Sequence, residues 1–127
     1  IERFCMSKSL VLIPLFLSNI FASDNGTKLF EQKCSSCHLK QRPHVDRIHL
    51  MVAPPIQGVM FHVSEKYSSQ KEAVGFITDY IFNPALNKAV CMTHSIEKFG
   101  VMPSQKGNLT PQEAKLIAQY LFDSYPQ

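Results

Sequence analysis

The chain has 127 residues, 45% of them hydrophobic and 18% charged, which suits one globular domain and excludes a disordered, collagen-like or coiled-coil chain. Five Gly and eight Pro are too few for a low-complexity chain, and no internal repeat is present. Thirteen Lys and Arg against ten Asp and Glu leave a net charge of +3 with no basic run, so no nucleic-acid footprint is indicated.

In chain order, Met6-Ser7-Lys8 is a short positive start. Leu10 to Ala22 is apolar, interrupted by Pro14, Ser18 and Asn19. That length matches the core of a signal peptide and is short for a membrane span. Residues 1–22 are therefore expected to be an N-terminal extension and export signal cut after Ala22, or an uncleaved anchor. Residues 23–127 are expected to be one exported, periplasmic domain. Cys5 falls outside it, leaving Cys34, Cys37 and Cys91 in the domain.

Asp24 or Asn25 can cap a short helix that runs through Leu29 and Phe30 into Cys34. A loop from about Leu39 to Gly58 follows, since Pro43, Pro54 and Pro55 disfavour regular structure. Ser69-x-x-Glu72 is a capping box, and Ala73, Val74, Phe76, Ile77, Tyr80 and Ile81 then recur at helical spacing. Pro84 ends that helix through its effect on Asn83. Asn87 to Phe99 is read as one further helix, with Val90, His94 and Phe99 inward and Met92 in the core. Gly100 to Asn108 is loop. Thr110-Pro111-x-Glu113 opens a last helix carrying Ala114, Ile117, Ala118, Leu121 and Phe122 to about Ser124. No segment alternates like a strand, so the expected class is all-α, with four or five helices.

The chemistry sits at Cys34-Ser35-Ser36-Cys37-His38. This is C-x-x-C-H, the attachment signature of c-type haem. Two thiols three positions apart can each add across a vinyl group of one haem, and the adjacent His38 then reaches the iron from the same side. Three other readings compete. A redox C-x-x-C would want a preceding strand and a βαβ pattern, which are absent. A zinc site could join Cys34 and Cys37 to Cys91-x-x-His94, but across a gap far longer than in compact zinc modules. A disulfide between Cys34 and Cys37 would close a small, strained ring.

On these residues the chain resembles the class I cytochromes c, over roughly Gly26 to Tyr125. Gly26-x-x-x-Phe30 resembles the family's N-terminal helix, where a small residue admits the C-terminal helix at Ile117 and Tyr120. Pro54-Pro55-Ile56-x-Gly58 resembles the segment behind the proximal histidine. Tyr80-Ile81-x-Asn83-Pro84 resembles the end of the third helix. Phe99-Gly100-Val101-Met102-Pro103 resembles the loop that delivers the second axial ligand. The chain departs in two places: the loop from His38 to Pro54 is longer than the common form, and Ala53 stands where glycine is usual.

The resemblance implies a cytochrome c fold wrapped around one haem, covalent through Cys34 and Cys37, with His38 and Met102 as metal ligands. The flanking Gly100 and Pro103 also suit a sharp, stiff ligand loop at Met102. Met51, Met60 and Met92 read as gap-filling core. His44, His49, His62 and His94 are rivals for the sixth ligand. Pro54 is the expected carbonyl partner of the His38 ring. Leu29, Phe30, Ile56, Phe76, Tyr80, Phe99 and Ile117 are the expected apolar wall. Two saturating ligands suit one-electron transfer rather than catalysis at the iron.

The expected function is thus a monomeric electron carrier between respiratory redox proteins, met through an exposed haem edge. A haem subunit of a larger oxidoreductase and a sensor with a labile Met102 are the alternatives. Lys40, Arg42, Arg47, Lys98 and Lys106 either steer an acidic partner or form a solvated face. Cys91 reads as a buried free thiol that could also join two copies. Membrane association is expected only if the N-terminal segment is retained.

Overall fold

The computed structural model describes residues 18–126, with side chains from Asp24 onward. The expected export signal therefore lies largely outside the described residues, as does Cys5. Among the described residues there are five α-helices: α1 (Ser18–Lys33), α2 (Ile56–Lys66), α3 (Gln70–Phe82), α4 (Thr93–Phe99) and α5 (Pro111–Ser124). Two 3-10 helices, Val45–Leu50 and Leu86–Lys88, lie in the connections. The described residues contain no strand beyond an isolated bridge between Lys106 and Leu109. The all-α expectation holds.

Helix α1 is already helical at Ser18, ahead of the cap expected at Asp24 or Asn25. Asp24 does not cap. Its carboxylate pairs with Lys28 one turn on, at 3.3 Å. Helix α1 crosses α5 closely at Gly26. A Cβ there would stand 2.6 Å from both the Leu116 carbonyl oxygen and the Tyr120 Cβ. Only a glycine admits that approach. One turn later, Phe30 is 1% exposed, and its ring centroid lies 5.7 Å from that of Tyr120.

Both expected N-caps form, and the box is complete at Thr110, whereas the Glu72 carboxylate accepts from the Ser69 hydroxyl rather than from its backbone amide. Ser69 accepts from the Glu72 amide at 3.2 Å, and Thr110 accepts from the Glu113 amide at 3.2 Å while Glu113 answers the Thr110 amide at 2.8 Å. Helix α5 then buries Ala114, Ile117, Ala118 and Leu121 against α1 and α3. Helix α3 contributes Ala73, Val74, Ile77 and Ile81. Full burial of each large aliphatic side chain is worth about 1.5–3 kcal/mol.

Two expectations are corrected. Residues 56–58 are not loop: Pro55 is the N-cap of α2, and Ile56, Met60 and Val63 are buried from it. Proline immediately before a helix needs no amide partner, so Pro54-Pro55 starts this helix rather than prolonging the loop. The single helix expected over 87–99 is two short pieces. A 3-10 turn ends at Lys88, Ala89–Met92 is irregular, and α4 begins at Thr93 with Met92 as its N-cap. Met92 is consequently 54% exposed rather than core, and His94 is exposed rather than inward.

The candidate haem-binding cavity

Helix α1 ends by bending into a tight turn. Cys37 and His38 both donate backbone hydrogen bonds to the Cys34 carbonyl, at 3.1 and 2.9 Å. The turn separates the two thiols: Cys34 is half-buried and Cys37 exposed. Burial, with the nearby Cys37 adding to it, pushes the Cys34 thiol up to about 11. His38 is half-buried, and its Nδ1 donates to the Pro54 carbonyl oxygen at 2.8 Å. An imidazole ring with its one proton on Nδ1 presents at Nε2 a free lone pair, able to bind a metal. A second bond ties the same neck, from the Ile56 amide to the Leu39 carbonyl at 2.7 Å.

These residues open on a cavity of about 850 Å³, counting its mouth. Cys34, His38 and Pro54 line it, as do Phe30, Ile56, Phe76, Tyr80, Met102 and Ile117. Met102 reaches it from a loop held on both sides. Gly100 takes φ +74°, the left-handed region that favours glycine. Beyond Met102, Ser104 Oγ donates to the Phe82 carbonyl at 2.6 Å and the Gln105 amide to the Ile81 carbonyl at 2.9 Å. The loop that carries Met102 is thereby pinned to the C-terminus of α3.

Other expected site residues lie elsewhere. Phe99 does not line the cavity; the Lys98 ammonium lies 5.0 Å from its ring centroid. Leu29 packs on the core without reaching the cavity. None of the rival histidines lines it. His44 and His62 bond through Nδ1 to Asp46 and Glu65, at 2.7 and 2.9 Å, while His49 and His94 are exposed. Met51 and Met92 are also absent from the wall, whereas the fully buried Met60 belongs to it. Among the described residues, no three His, Cys, Asp or Glu side chains gather in a way that could hold a metal ion, so the zinc constellation is not assembled.

The sequence reading missed several lining residues. Val59, Met60 and Val63 come from α2, and their spacing after Ile56 is itself helical. Ile77 and Ile81 follow from the α3 pattern. Cys91, Ser95 and Ile96 arrive from the irregular strap and α4, which no local signal places there. Cys91 is half-buried and its thiol is raised by burial. Tyr80, which shares the wall, is raised by burial and by Cys91.

The donor set fits a haem. An apolar slot faces a nitrogen donor oriented by a carbonyl and a thioether on a stiff loop; the Cys34 thiol lies on its wall, while Cys37, three residues on, is exposed and not part of the lining. Helices α1 and α5 crossing at Gly26, with α3 beside them and this slot between, define a c-type cytochrome with the cytochrome c fold. Residues 22–121 match the family described as cytochrome c oxidase, cbb3-type, subunit III, and the chain belongs to that family. It is 29% identical over 126 residues to an uncharacterized protein of Aquifex aeolicus (strain VF5), covering 91% of this chain and 83% of that one. No solved structure matches. Membership makes the chain a haem-based electron-transfer module with redox proteins as its partners.

Proposed function

We propose that the chain binds one haem c through thioethers at Cys34 and Cys37, with His38 and Met102 as axial ligands, and carries single electrons. The observation that carries this reading is the convergence of Cys34, His38 and Met102 on one apolar cavity. When bound, the haem supplies a metal centre that exchanges one electron between ferric and ferrous states.

The chain's own residues do the rest. The Pro54 carbonyl holds the His38 proton on Nδ1 and keeps the ring from turning, which raises its basicity as a ligand. Gly100 and the two bonds from Ser104 and Gln105 hold Met102 to one approach. A thioether is a soft donor, so Met102 favours the ferrous state and a higher potential. Ile56, Val59, Phe76 and Ile77 keep water out, which favours the less charged state of the centre. His38 and Met102 would together hold the iron of the bound haem, leaving it to electron exchange rather than to oxygen or peroxide chemistry.

The carrier works between respiratory redox proteins on the outer face of the inner membrane, in the periplasm. A second reading is supported by the family itself, whose description is that of an oxidase subunit. In that reading the same site passes electrons within a larger oxidoreductase. Isolation of the natural protein as a free monomer would favour the carrier.

The test is an optical redox titration of the chain made with its own N-terminus and a haem-maturation system, repeated under carbon monoxide. A covalent haem with a positive potential and no carbon monoxide binding is expected. Carbon monoxide binding or a low potential would remove Met102 as a firm ligand. No haem would overturn the reading altogether.

A further inference from the structure

The segment from Leu39 to Ala53 forms a loop closed at its neck by two hydrogen bonds. One is the bond from His38 to the Pro54 carbonyl, and the other joins Ile56 to Leu39. The feet of the loop are thus the proposed iron ligand and the group that orients it. A loop so closed would ordinarily tuck its apolar residues inward. This one does not. Its 3-10 helix buries nothing, and Val45, Leu50 and Val52 are 77%, 65% and 62% exposed.

The charges around these side chains are unequal. Lys40 is neutralised by Glu31 at 2.8 Å, and Asp46 is engaged by His44 at 2.7 Å. Arg42 and Arg47 are exposed and have no ion-pair partner among the described residues. The stretch from Arg42 to Val52 therefore carries three exposed apolar side chains and two unpaired guanidiniums. Exposed valines and leucines carry a standing cost in water unless something covers them. Guanidinium groups select carboxylates, with which they pair in a bidentate fork.

We propose that this loop is the docking surface for the redox partner, and that it receives a face of that protein with an apolar centre rimmed by carboxylates. The proposal rests on the haem reading above and adds to it the surface and the chemistry of the partner. The loop is joined to the proposed haem site at its feet, through His38 and Pro54. Few contacts and a charged rim make a fast, transient encounter, with an interface below about 1,200 Å².

The test uses haem-loaded full chain and reduced plant-type ferredoxin, an acidic one-electron donor of about −400 mV, in stopped flow. Reduction of the wild type should slow as salt is raised. Arg42→Glu with Arg47→Glu should cut the low-salt rate roughly tenfold or more, the scale of an electrostatic steering effect. Arg42→Gln with Arg47→Gln should fall between, and guards against misfolding in the reversed variant. Leu50→Ser with Val52→Ser should lower the rate at every salt concentration. All variants should keep the wild-type haem spectrum and potential, so a failure of docking is read separately from a failure of the haem reading.

Three results would overturn the proposal. One is an unchanged rate in all three loop variants. The second is a larger loss from Lys98→Glu with Lys106→Glu, which would move docking to the Met102 loop. The third is sedimentation of the wild type, but not of the loop variants, with phosphatidylglycerol vesicles, which would make the surface a lipid contact.

Discussion

At Gly26 one hydrogen atom decides how α1 meets α5. The neighbours that a Cβ would strike are a backbone oxygen and a Cβ, neither of which can swing aside. Gly26→Val should therefore destabilise the haem-loaded protein by about 1–3 kcal/mol or more, the usual cost of overpacking, read by denaturant unfolding. On the proposed ligation, Met102 should be replaceable without loss of haem attachment. Met102→Ala should keep covalent haem, lose the low-spin methionine-ligated spectrum and lower the potential in an optical titration. An unchanged spectrum would assign the ligand elsewhere. Cys91 gives a pH dependence. Its thiol is raised above the ordinary 9.0 by burial, so the folded state holds the proton more tightly than the unfolded chain. The stability this contributes is complete below the ordinary thiol range and is lost as pH climbs through the folded value. Cys91→Ala should accordingly flatten the alkaline fall of stability, measured by thermal unfolding between pH 8 and the limit of reversibility, roughly pH 11.

At the scale of elements, the best-read helices are those with a chemical start signal. Ser69 and Thr110 each hold an amide that would otherwise lack a partner. Thr110→Ala should cost about 1 kcal/mol in denaturant unfolding, with the chain still folded. Helix α2 lacked such a signal. Its cap is a proline without a side-chain hydrogen bond, and it contains Gly58, so its start looks like the end of a loop. The stretch over 87–99 shows the opposite error. Apolar residues at helical spacing suggested one helix, yet the chain breaks at Ala89–Met92 so that Val90 and Cys91 reach the cavity. Periodicity records which residues face inward, and says nothing of whether the backbone between them stays helical.

For the whole molecule, the cavity lies where a larger protein would place side chains. Phe30, Ile56, Ile77, Ile117 and Leu121 each belong both to the core and to the cavity wall. The haem is thus expected to be half of the core. Chain produced without haem maturation should lose most of its helical signal by far-ultraviolet circular dichroism and regain it only in the haem-loaded form. A fully helical haem-free chain would show that the packing of α1, α3 and α5 suffices alone. Among the described residues no helix is long and apolar enough to cross a membrane.

The amino-acid order alone determined the attachment motif at Cys34, Cys37 and His38, the all-α class, two capped helices and the glycine that lets α1 cross α5. Each is local, or follows from residue chemistry at fixed spacing. Tertiary structure decided which side chains share the cavity. It brought Pro54 to His38 across 16 positions, placed Cys91 and Ser95 on the wall, and left Phe99 and His94 outside. It also turned Val45, Leu50 and Val52 toward solvent although their hydropathy points inward. These outcomes depend on contacts between segments distant in sequence, whose energies no local pattern contains.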